Sequence, residues 1–265
     1  MLESASRPVV RIVAGTQGRQ RSDGSMLVYD VETLRTPEEV SPDNPVKGWQ
    51  HPLLMGFGSA VVYDYRTDMY HCIVTGECQR LVRMLTDEVV VSFNGIKFDN
   101  KVTLDCDCPD NMDLPTPWLN YDLLLEVVKA KFQVKTVREA EIEMGAVIVH
   151  DGSIGLDGLA QGTLGMAKTG HGSKSPLLIR EGRWGDLFAY NLHDVRLTRK
   201  LMDFLMRYGY LIDRGGFKIE IVVPGWVKAS YYGHQCGCGN AKAPTGIMAN
   251  PSACGNPECG FEDDL

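Results

Sequence analysis

Tyr190 and Asp194 lie four residues apart in a segment with helical periodicity. Positions i and i+4 of a helix share one face. This face continues as an apolar stripe of Leu197, Leu201, Phe204 or Leu205, and Tyr208. The pattern therefore predicts a helix that turns an acid towards the core. Burial of an unpaired carboxylate costs on the order of several kcal/mol, so Asp194 requires a cation, a hydrogen-bonding partner or a raised pKa.

Two further acids lie at the end of a predicted strand. The mostly apolar segment 26–33 carries Asp30 and Glu32 in its last residues. Side chains alternate along a strand, so both carboxylates project from the same face. Two like charges side by side repel each other, which favours a positive group between them.

A fourth acid follows a second apolar run. Residues 89–93 end in the turn signal Asn94-Gly95, and Asp99 comes shortly afterwards at the start of a predicted helix. Open α/β folds hold their chemistry at strand ends on one edge of the sheet and in the loops that follow. We therefore expect the four acids to converge there.

Four acidic oxygen donors favour hard divalent ions such as Mg²⁺ or Mn²⁺ over zinc. Two such ions about 3.5–4 Å apart activate water and stabilise the leaving oxygen of a phosphodiester. Tyr190 lies one helical turn before Asp194, a position from which its hydroxyl can orient the attacking water.

Three motifs at these positions resemble those of the DEDD 3′-5′ exonucleases of the tyrosine subtype. They are Asp30-Val31-Glu32, Asn94-Gly95-Ile96-Lys97-Phe98-Asp99 and Tyr190-x-x-x-Asp194. The resemblance covers about 26–210, and residues 158–168 are similar to the segment before the third motif in family-B DNA polymerase proofreading domains. It implies an α/β, ribonuclease H-like fold with a mixed sheet flanked by helices.

The resemblance also implies roles for individual residues. The implied ligands of two Mg²⁺ or Mn²⁺ ions are Asp30, Glu32, Asp99 and Asp194. Tyr190 would position the nucleophilic water and Asn94 would lie near the substrate. Independently of the resemblance, the two lysines and the small hydroxyl residues of the glycine-containing loop 168–175 could contact a phosphate backbone. The predicted substrate-binding set is Asn94, Thr33, Lys168 and Lys174.

Each acid also allows a purely structural interpretation. The two acids of the first strand could lie at an exposed strand end, and Asp99 could be a helix-start residue favoured by the macrodipole. Asp194 could pair with Arg196 or Arg199. The tyrosine of the third motif could be core packing, and loop 168–175 an ordinary solvated loop. These interpretations do not explain why the acids follow the order of one motif set.

Composition is compatible with an enzyme domain and an appendage. The chain has 265 residues, of which 44% are hydrophobic and 23% are charged, enough for one sizeable core and a small module. We predict an arm at 1–25, an exonuclease domain at 26–211 and an extension at 212–265. The net charge of −7 argues against a broadly basic nucleic-acid-coating protein but permits a nuclease. No apolar run is long enough for a membrane span and the polar start lacks a secretory segment, so we expect a cytoplasmic protein.

The remaining pattern predicts the elements that position the acids. The expected strands are 26–32, 54–64, 69–74 and 89–93, beginning with antiparallel neighbours in a mixed sheet. The expected helices are 78–85, the helix that Asp99 begins, and 123–132. Residues 35–52 and 105–117 are rich in Pro and acidic residues, which favours loops. Asp122 lies near a possible strand end but matches no ligand position, and we interpret it as structural.

The extension contains half of the eight cysteines, namely Cys236, Cys238, Cys254 and Cys259. Their setting among Gly, Asn and Pro favours a small zinc-ribbon-like site with tetrahedral thiolate ligation. The spacing departs from paired Cys-x-x-Cys, so His234 could replace one thiolate, and Cys106 or Cys108 could pair with the extension. The alternative is a flexible tail with free thiols, since disulfides are not expected in a reducing compartment.

Together these features predict a metal-dependent 3′-5′ exonuclease that hydrolyses single-stranded nucleic acid. DNA is favoured by the similarity to proofreading domains, and RNA is next. A replication or repair protein is a possible partner, and no membrane partner is expected. The alternatives are an exoribonuclease and a module of the same fold that binds nucleic acid or a replication partner without cleaving.

Overall fold

A mixed five-stranded sheet is the central element of the fold in this computed structural model. The structure describes residues 26–86, 88–103, 106, 119–136, 138–140, 142, 152–170 and 172–233. Several predictions fall outside these residues, namely the N-terminal arm and the candidate zinc ligands Cys236, Cys238, Cys254, Cys259, His234 and Cys108.

The strands are β1 (Met26–Thr33), β2 (Phe57–Asp64), β3 (Met69–Val74), β4 (Val89–Ser92) and β5 (Leu119–Asp122). They lie in the order β3-β2-β1-β4-β5. The first three strands are antiparallel neighbours, whereas β4 runs parallel to β1 and β5 runs parallel to β4. The carboxyl ends of β1, β4 and β5 therefore lie at one edge of the sheet. The predicted α/β class and the mixed sheet with an antiparallel start are confirmed.

Helices flank this sheet. They are α1 (Pro37–Val40), α2 (Pro45–Gly48), α3 (Pro52–Met55), α4 (Cys78–Leu85), α5 (Asp99–Thr103), α6 (Leu123–Phe132), α7 (Leu156–Leu164), α8 (Ser175–Arg180), α9 (Trp184–Tyr208) and α10 (Gly225–Gly233). Short 3-10 turns cover Thr75–Glu77, Gly152–Ile154 and Gly172–Lys174. A small hairpin joins β6 (Tyr210–Ile212) to β7 (Lys218–Glu220).

The prediction of a loop over 35–52 was wrong, because this segment begins a series of three single-turn helices, α1 to α3. Each begins with proline at its first position, where the missing N–H costs nothing. Thr36 and Glu39 form a capping box at α1, and the Asn44 side chain caps α2. The predicted strand 54–64 begins only at Phe57, since Gly56 ends α3 with a φ of 71°.

Two hydrophobic cores cover the two faces of the sheet. From β1, Met26 and Val28 enter the larger core with residues of α6, α7 and α9. Leu27, Tyr29 and Val31 enter the smaller core with residues of α4 and α5. By this alternation the even-numbered acids of β1 face the side of the sheet that α9 covers.

The apolar stripe predicted for α9 is largely confirmed. Leu197, Leu201 and Leu205 are fully buried. Tyr208 is half exposed, so its assignment to the core was wrong. It is the last residue of the helix, and its ring packs against Phe204 with ring centroids 4.5 Å apart.

The larger core continues past the predicted domain boundary. Leu211 of β6, Ile219 of β7 and Val227 of α10 are all buried in it. The predicted division between 211 and 212 falls within β6 and does not mark an edge of this core. Among the described helices, none combines the length and apolar character required to cross a bilayer.

A disulfide joins Cys78, at the start of α4, to Cys106, which follows α5, with the two Cα atoms 5.5 Å apart. The suggestion that Cys106 could pair with the cysteines of the extension is therefore wrong. Its sulfur lies instead in the smaller core, where it links the two helices on that face.

Candidate active site

The two acids of β1 meet the side chain of Asn191 from α9. Asn191 Nδ2 donates to Asp30 Oδ2 at 3.2 Å and to Glu32 Oε1 at 3.4 Å. The Ser175 hydroxyl, at the start of α8, donates to Glu32 Oε2. Asn191 of α9 thus bridges both carboxylates, and Ser175 of α8 binds the second carboxylate oxygen of Glu32, Oε2.

Asp99 joins the same group through the backbone of β1. The amide of Val31 donates to Asp99 Oδ1 at 3.0 Å, and Asp99 is buried. In the turn before Asp99, Gly95 passes close to Ser92, where a Cβ would lie 2.3 Å from Ser92 Oγ. The first and second motifs are therefore in direct contact at the end of β1.

Asp122 anchors the loop that precedes Asp99. Its Oδ1 accepts from the amides of Asn94, Leu124 and Leu125 at 2.9, 3.1 and 3.3 Å, and its Oδ2 accepts from Ile96 N at 3.1 Å. The single carboxylate of Asp122 thereby caps α6 and also holds the turn after β4. The structural role predicted for it is confirmed.

The third motif brings a cation into the group of acids. Asp194 is buried, and its Oδ2 lies 2.5 Å from Lys168 Nζ. The same ammonium lies 5.7 Å from the centre of the Tyr190 ring, and the Tyr190 side chain hydrogen-bonds to Asp194. The suggested pairing of Asp194 with Arg196 or Arg199 is therefore wrong.

Burial and mutual repulsion raise the pKa values of three of these carboxyl groups, namely Asp30, Glu32 and Asp99. Burial raises the pKa of Glu32 to about 8 and that of Asp99 to about 7. Burial, followed by the charges of Asp99, Glu32 and Asp194, raises the pKa of Asp30 well above its usual value. Burial alone would lower the pKa of Lys168, but attraction to the acids outweighs this and raises it. The four acids therefore share one electrostatic environment that favours a cation.

Four carboxylates are chemically suited to bind a divalent cation. In this structure, however, their oxygens are not arranged as the ligands of one ion. Within the described ranges, no three His, Cys, Asp or Glu side chains are grouped as ligands of an ion. Lys168, Ser175 and Asn191 instead hold the carboxylate oxygens. Two acceptors, Asp194 Oδ1 and Asn191 Oδ1, are buried without a hydrogen-bond partner. Unpartnered oxygens beside repelling carboxylates are suited to a hard ion.

The predicted substrate-binding residues divide into two groups. Lys168 lies among the acids, and Asn94 follows β4 with a φ of 68° and a buried, unpartnered Oδ1. Thr33 is buried and donates its hydroxyl to Arg35 O at 3.0 Å, while Lys174 is exposed at the end of its 3-10 turn. The structure thus places Lys168 beside the acids, whereas a lysine of an ordinary solvated loop would point into solvent. Lys174 lies at the surface.

Sequence reasoning missed two residues of this site, Asn191 and Ser175. Asn191 had a usable signal, since it lies three positions before Asp194 and so falls on the inward face of α9. Ser175 was expected only as one of the hydroxyl residues of loop 168–175, and no local signal indicated its contact with Glu32.

Neither a protein-family model nor a curated protein matches this chain. Its function must therefore be inferred from the acids, the lysine and the fold that positions them.

The raised carboxyl pKa values predict that the metal-free protein loses stability as pH rises. Unfolded Glu32 has a usual pKa of 4.5, whereas the folded group holds its proton up to about 8. The stabilisation from proton retention is complete below the unfolded value and is lost as pH rises through the folded value. We expect Glu32→Gln to unfold with a free energy higher than wild type by on the order of 2 kcal/mol at pH 8, and by almost nothing at pH 5.

Urea denaturation of both proteins with a chelator, from pH 5 to pH 8, measures this difference. Asp186→Asn is the matched control, because Asp186 is an exposed acid of α9 that pairs with Arg183. A constant difference across this pH range would show that Glu32 is ionised in the folded protein throughout.

Proposed function

We propose that this protein is a metal-dependent 3′-5′ exonuclease that hydrolyses the phosphodiester bonds of single-stranded nucleic acid, preferably DNA. The convergence of Asp30, Glu32, Asp99 and Asp194 from three distant segments at the carboxyl end of β1 carries the proposal. These are the residues that the resemblance to the DEDD family implies as ligands. With the activity we propose a replication or repair partner and a structural zinc site in the extension. We also propose a cytoplasmic location, in which the disulfide between Cys78 and Cys106 would be an exception to the usual reduced state of thiols.

The fold supports a ribonuclease H-like assignment. Three antiparallel strands are followed by two parallel ones, and β1 lies at the centre of the sheet. The acids come from the end of this central strand, from the helix that follows β4, and from the long helix that packs against β1. In open α/β sheets, active sites frequently lie just outside the carboxyl ends of the central strands.

In this proposal the four acids hold two Mg²⁺ or Mn²⁺ ions. When bound, such ions lower the pKa of water and stabilise the charge on the departing oxygen. Asn191 keeps the carboxylates of Asp30 and Glu32 together on the face that α9 covers. Asp122 keeps the loop before Asp99 in place.

Tyr190 and Lys168 supply the remaining polar groups. Burial, and then the charges of Asp194, Glu32 and Asp30, raise the pKa of Tyr190 far above its usual value. The tyrosine therefore stays protonated and can orient a water molecule by its hydroxyl. The Lys168 ammonium, which here pairs with Asp194, would be suited to bind a non-bridging phosphate oxygen of the substrate.

One observation favours a second candidate function, a module that binds nucleic acid without cleaving it. The lysine pairs with Asp194 and so neutralises part of the acidic group. If this pair persists in the presence of divalent ions, the acids cannot act together on a phosphodiester. An exoribonuclease would use the same residues, and only the choice of sugar would differ.

The decisive experiment incubates a 5′-labelled single strand with the full-length protein and Mn²⁺, with and without a chelator. We expect a ladder that shortens from the 3′ end with Mn²⁺ and an intact strand with the chelator. Single-stranded DNA, duplex DNA and RNA of one sequence, tested in parallel, show which strand is preferred.

Thermal unfolding provides a measurement that does not depend on activity. Mn²⁺ is expected to raise the Tm of the wild-type protein, because the ions relieve the repulsion among the acids. An intact strand with Mn²⁺, combined with a gel shift of that strand, would contradict the exonuclease and support the binding module.

A further inference from the structure

Loop 168–175 is attached at its start to the helix that precedes it. The backbone amide of Lys168 donates to Asp157 Oδ1 at 2.8 Å. Asp157 lies in the first turn of α7, whereas Lys168 lies beyond the end of that helix. The chain therefore reverses after Gly165, the left-handed residue that ends α7, and returns to the start of the helix. Asp157 is not one of the four candidate ligands, so this contact is additional to them.

The second oxygen of Asp157 has other partners. Its Oδ2 accepts from Arg214 Nη2 and from Gln161 Nε2, the latter at 2.8 Å. Burial would raise the pKa of Asp157, but its hydrogen bonds and the nearby positive charges outweigh burial and lower the pKa. The group is therefore a carboxylate at neutral pH, and hydrogen bonds to an ionised acceptor are the stronger ones. One oxygen thus holds the lysine backbone, while the other ties the carboxylate to α7 and to the loop between β6 and β7.

Helix α7 is a fixed support for Asp157, because it packs closely on the β6–β7 hairpin. A Cβ at Gly162 would lie 2.1 Å from Asp213 O. The hydroxyl of Thr163 donates to Ile212 O at 2.9 Å and accepts from Ile212 N at 2.8 Å. The position of Asp157 is therefore set by the docking of α7 and not by the loop that it holds.

Two contacts on either side of Lys168 hold the chain against α9. His193 Nε2 lies 2.9 Å from Ala167 O. Gly170 passes so close to Tyr190 that a Cβ would lie 3.0 Å from Cδ2 of the ring. Between these contacts, the Lys168 ammonium lies 5.7 Å from the centre of the same ring. The lysine backbone is thus held from α7 and from α9, which fixes the point from which its side chain extends.

We propose that Asp157 is a positioning residue, which holds the Lys168 backbone so that the ammonium stays beside Asp194. This inference rests on the proposed exonuclease function, in which the lysine would bind a phosphate oxygen of the substrate. Lysine carries its charge on a long flexible side chain, so a fixed backbone restricts where the charge lies. A displacement of about 1 Å in a group that orients the substrate can cost a large factor in rate. Asp157 therefore contributes to hydrolysis without touching the substrate.

The first test measures the accessibility of the Lys168 amine in the metal-free, full-length protein and requires no substrate. Trace acetic anhydride acetylates lysines, and peptide mass spectrometry gives the rate for each one. The Lys168 side chain is paired and 26% exposed, whereas Lys174 of the same loop is exposed and serves as the internal reference. Because a hydrogen bond to a charged group holds this backbone, we expect Asp157→Ala to raise the relative rate at Lys168 by about fivefold or more. Asp157→Asn keeps an oxygen that can accept from the lysine amide and should restore most of the protection.

Two further variants separate this role from that of an ordinary ion pair. Arg214→Gln removes only a partner of Oδ2 and should leave the acetylation of Lys168 unchanged. Asp186→Ala is the matched control, because Asp186 is a first-turn acid of α9 that pairs with an arginine. Wild-type protection in Asp157→Ala, or the same release in Arg214→Gln, would overturn the inference. If Asp157→Ala does not fold, Asp157→Ser replaces it, since it keeps a polar side chain in the first turn of α7.

The second test measures nucleotide release from a labelled single strand with Mn²⁺. We expect Asp157→Ala to lower kcat about tenfold in the wild-type background. In the Lys168→Ala background the same change should have no further effect, because the two residues act as one unit. Additive losses would show that Asp157 does not act through the lysine and would overturn the inference. If wild type releases no nucleotide, the exonuclease proposal fails, and the acetylation rates alone decide whether Asp157 holds Lys168.

Discussion

Asp99→Asn and Asp194→Asn are each expected to reduce nucleotide release by at least about a thousandfold. A bound divalent ion supplies several kcal/mol of charge stabilisation in the transition state, and each 1.36 kcal/mol corresponds to a factor of ten in rate. Loss of one carboxylate weakens or displaces an ion and thus removes most of this stabilisation. Initial rates of release from a labelled single strand with Mn²⁺ measure the effect.

The fold of both variants should remain intact. Asn at position 99 keeps an oxygen that can accept from Val31 N, and it removes a carboxyl group whose pKa is raised to about 7 by burial. The unfolding free energy of Asp99→Asn without metal should therefore equal or exceed that of wild type at pH 8. Asp194→Asn leaves the Lys168 ammonium without its charged partner, so this variant should fold but be less stable than wild type. The alanine variants at both positions should lose activity to the same extent.

Asp186→Asn again serves as the control, because it removes an exposed acid from α9, the helix that carries Asp194. A wild-type rate in Asp194→Asn, with Asp186→Asn unchanged, would show that the third motif takes no part in hydrolysis. Loss of activity together with loss of the folded state would leave the rate uninformative for that variant, and Asp99→Asn would then decide.

Asp122→Ala is expected to lower the free energy of unfolding by roughly 3–5 kcal/mol. The change removes the acceptor of four backbone amides, all of which lie at or near the buried junction of β4, β5 and α6. Hydrogen bonds to a charged group contribute about 1.5–3 kcal/mol each, and amides left without a partner add a desolvation cost. Urea denaturation at pH 7 measures the loss.

Asp122→Asn is the matched comparison. Its oxygen can keep the three bonds that Oδ1 accepts, and only the bond from Ile96 N to Oδ2 is lost. We therefore expect a loss of about 1–2 kcal/mol for this variant. Equal losses in the two variants would contradict the view that acceptance from the backbone is what Asp122 contributes.

Local patterns in the sequence were sufficient for much of the fold. The apolar run of β4, the alternation in β1 and the stripe of Leu197, Leu201 and Leu205 depend on residues within one turn or one strand of each other. The positions of the candidate acids relative to their own elements follow from the same local rules, which is why Asp99 was expected at a helix start. The single-turn helices α1 to α3 were missed because proline and acidic residues favour both loops and helix starts.

The sequence by itself determined which residues carry charge, which elements hold them and that these acids need partners when buried. Only the tertiary structure decided which residues those partners are. Lys168 is the partner of Asp194, and Ser175 and Asn191 are the partners of Glu32. Ser175 and Glu32 are 143 positions apart, and no local pattern links them. Such pairings depend on how α8 and α9 dock on the sheet, which is set by packing of the whole core rather than by any one segment.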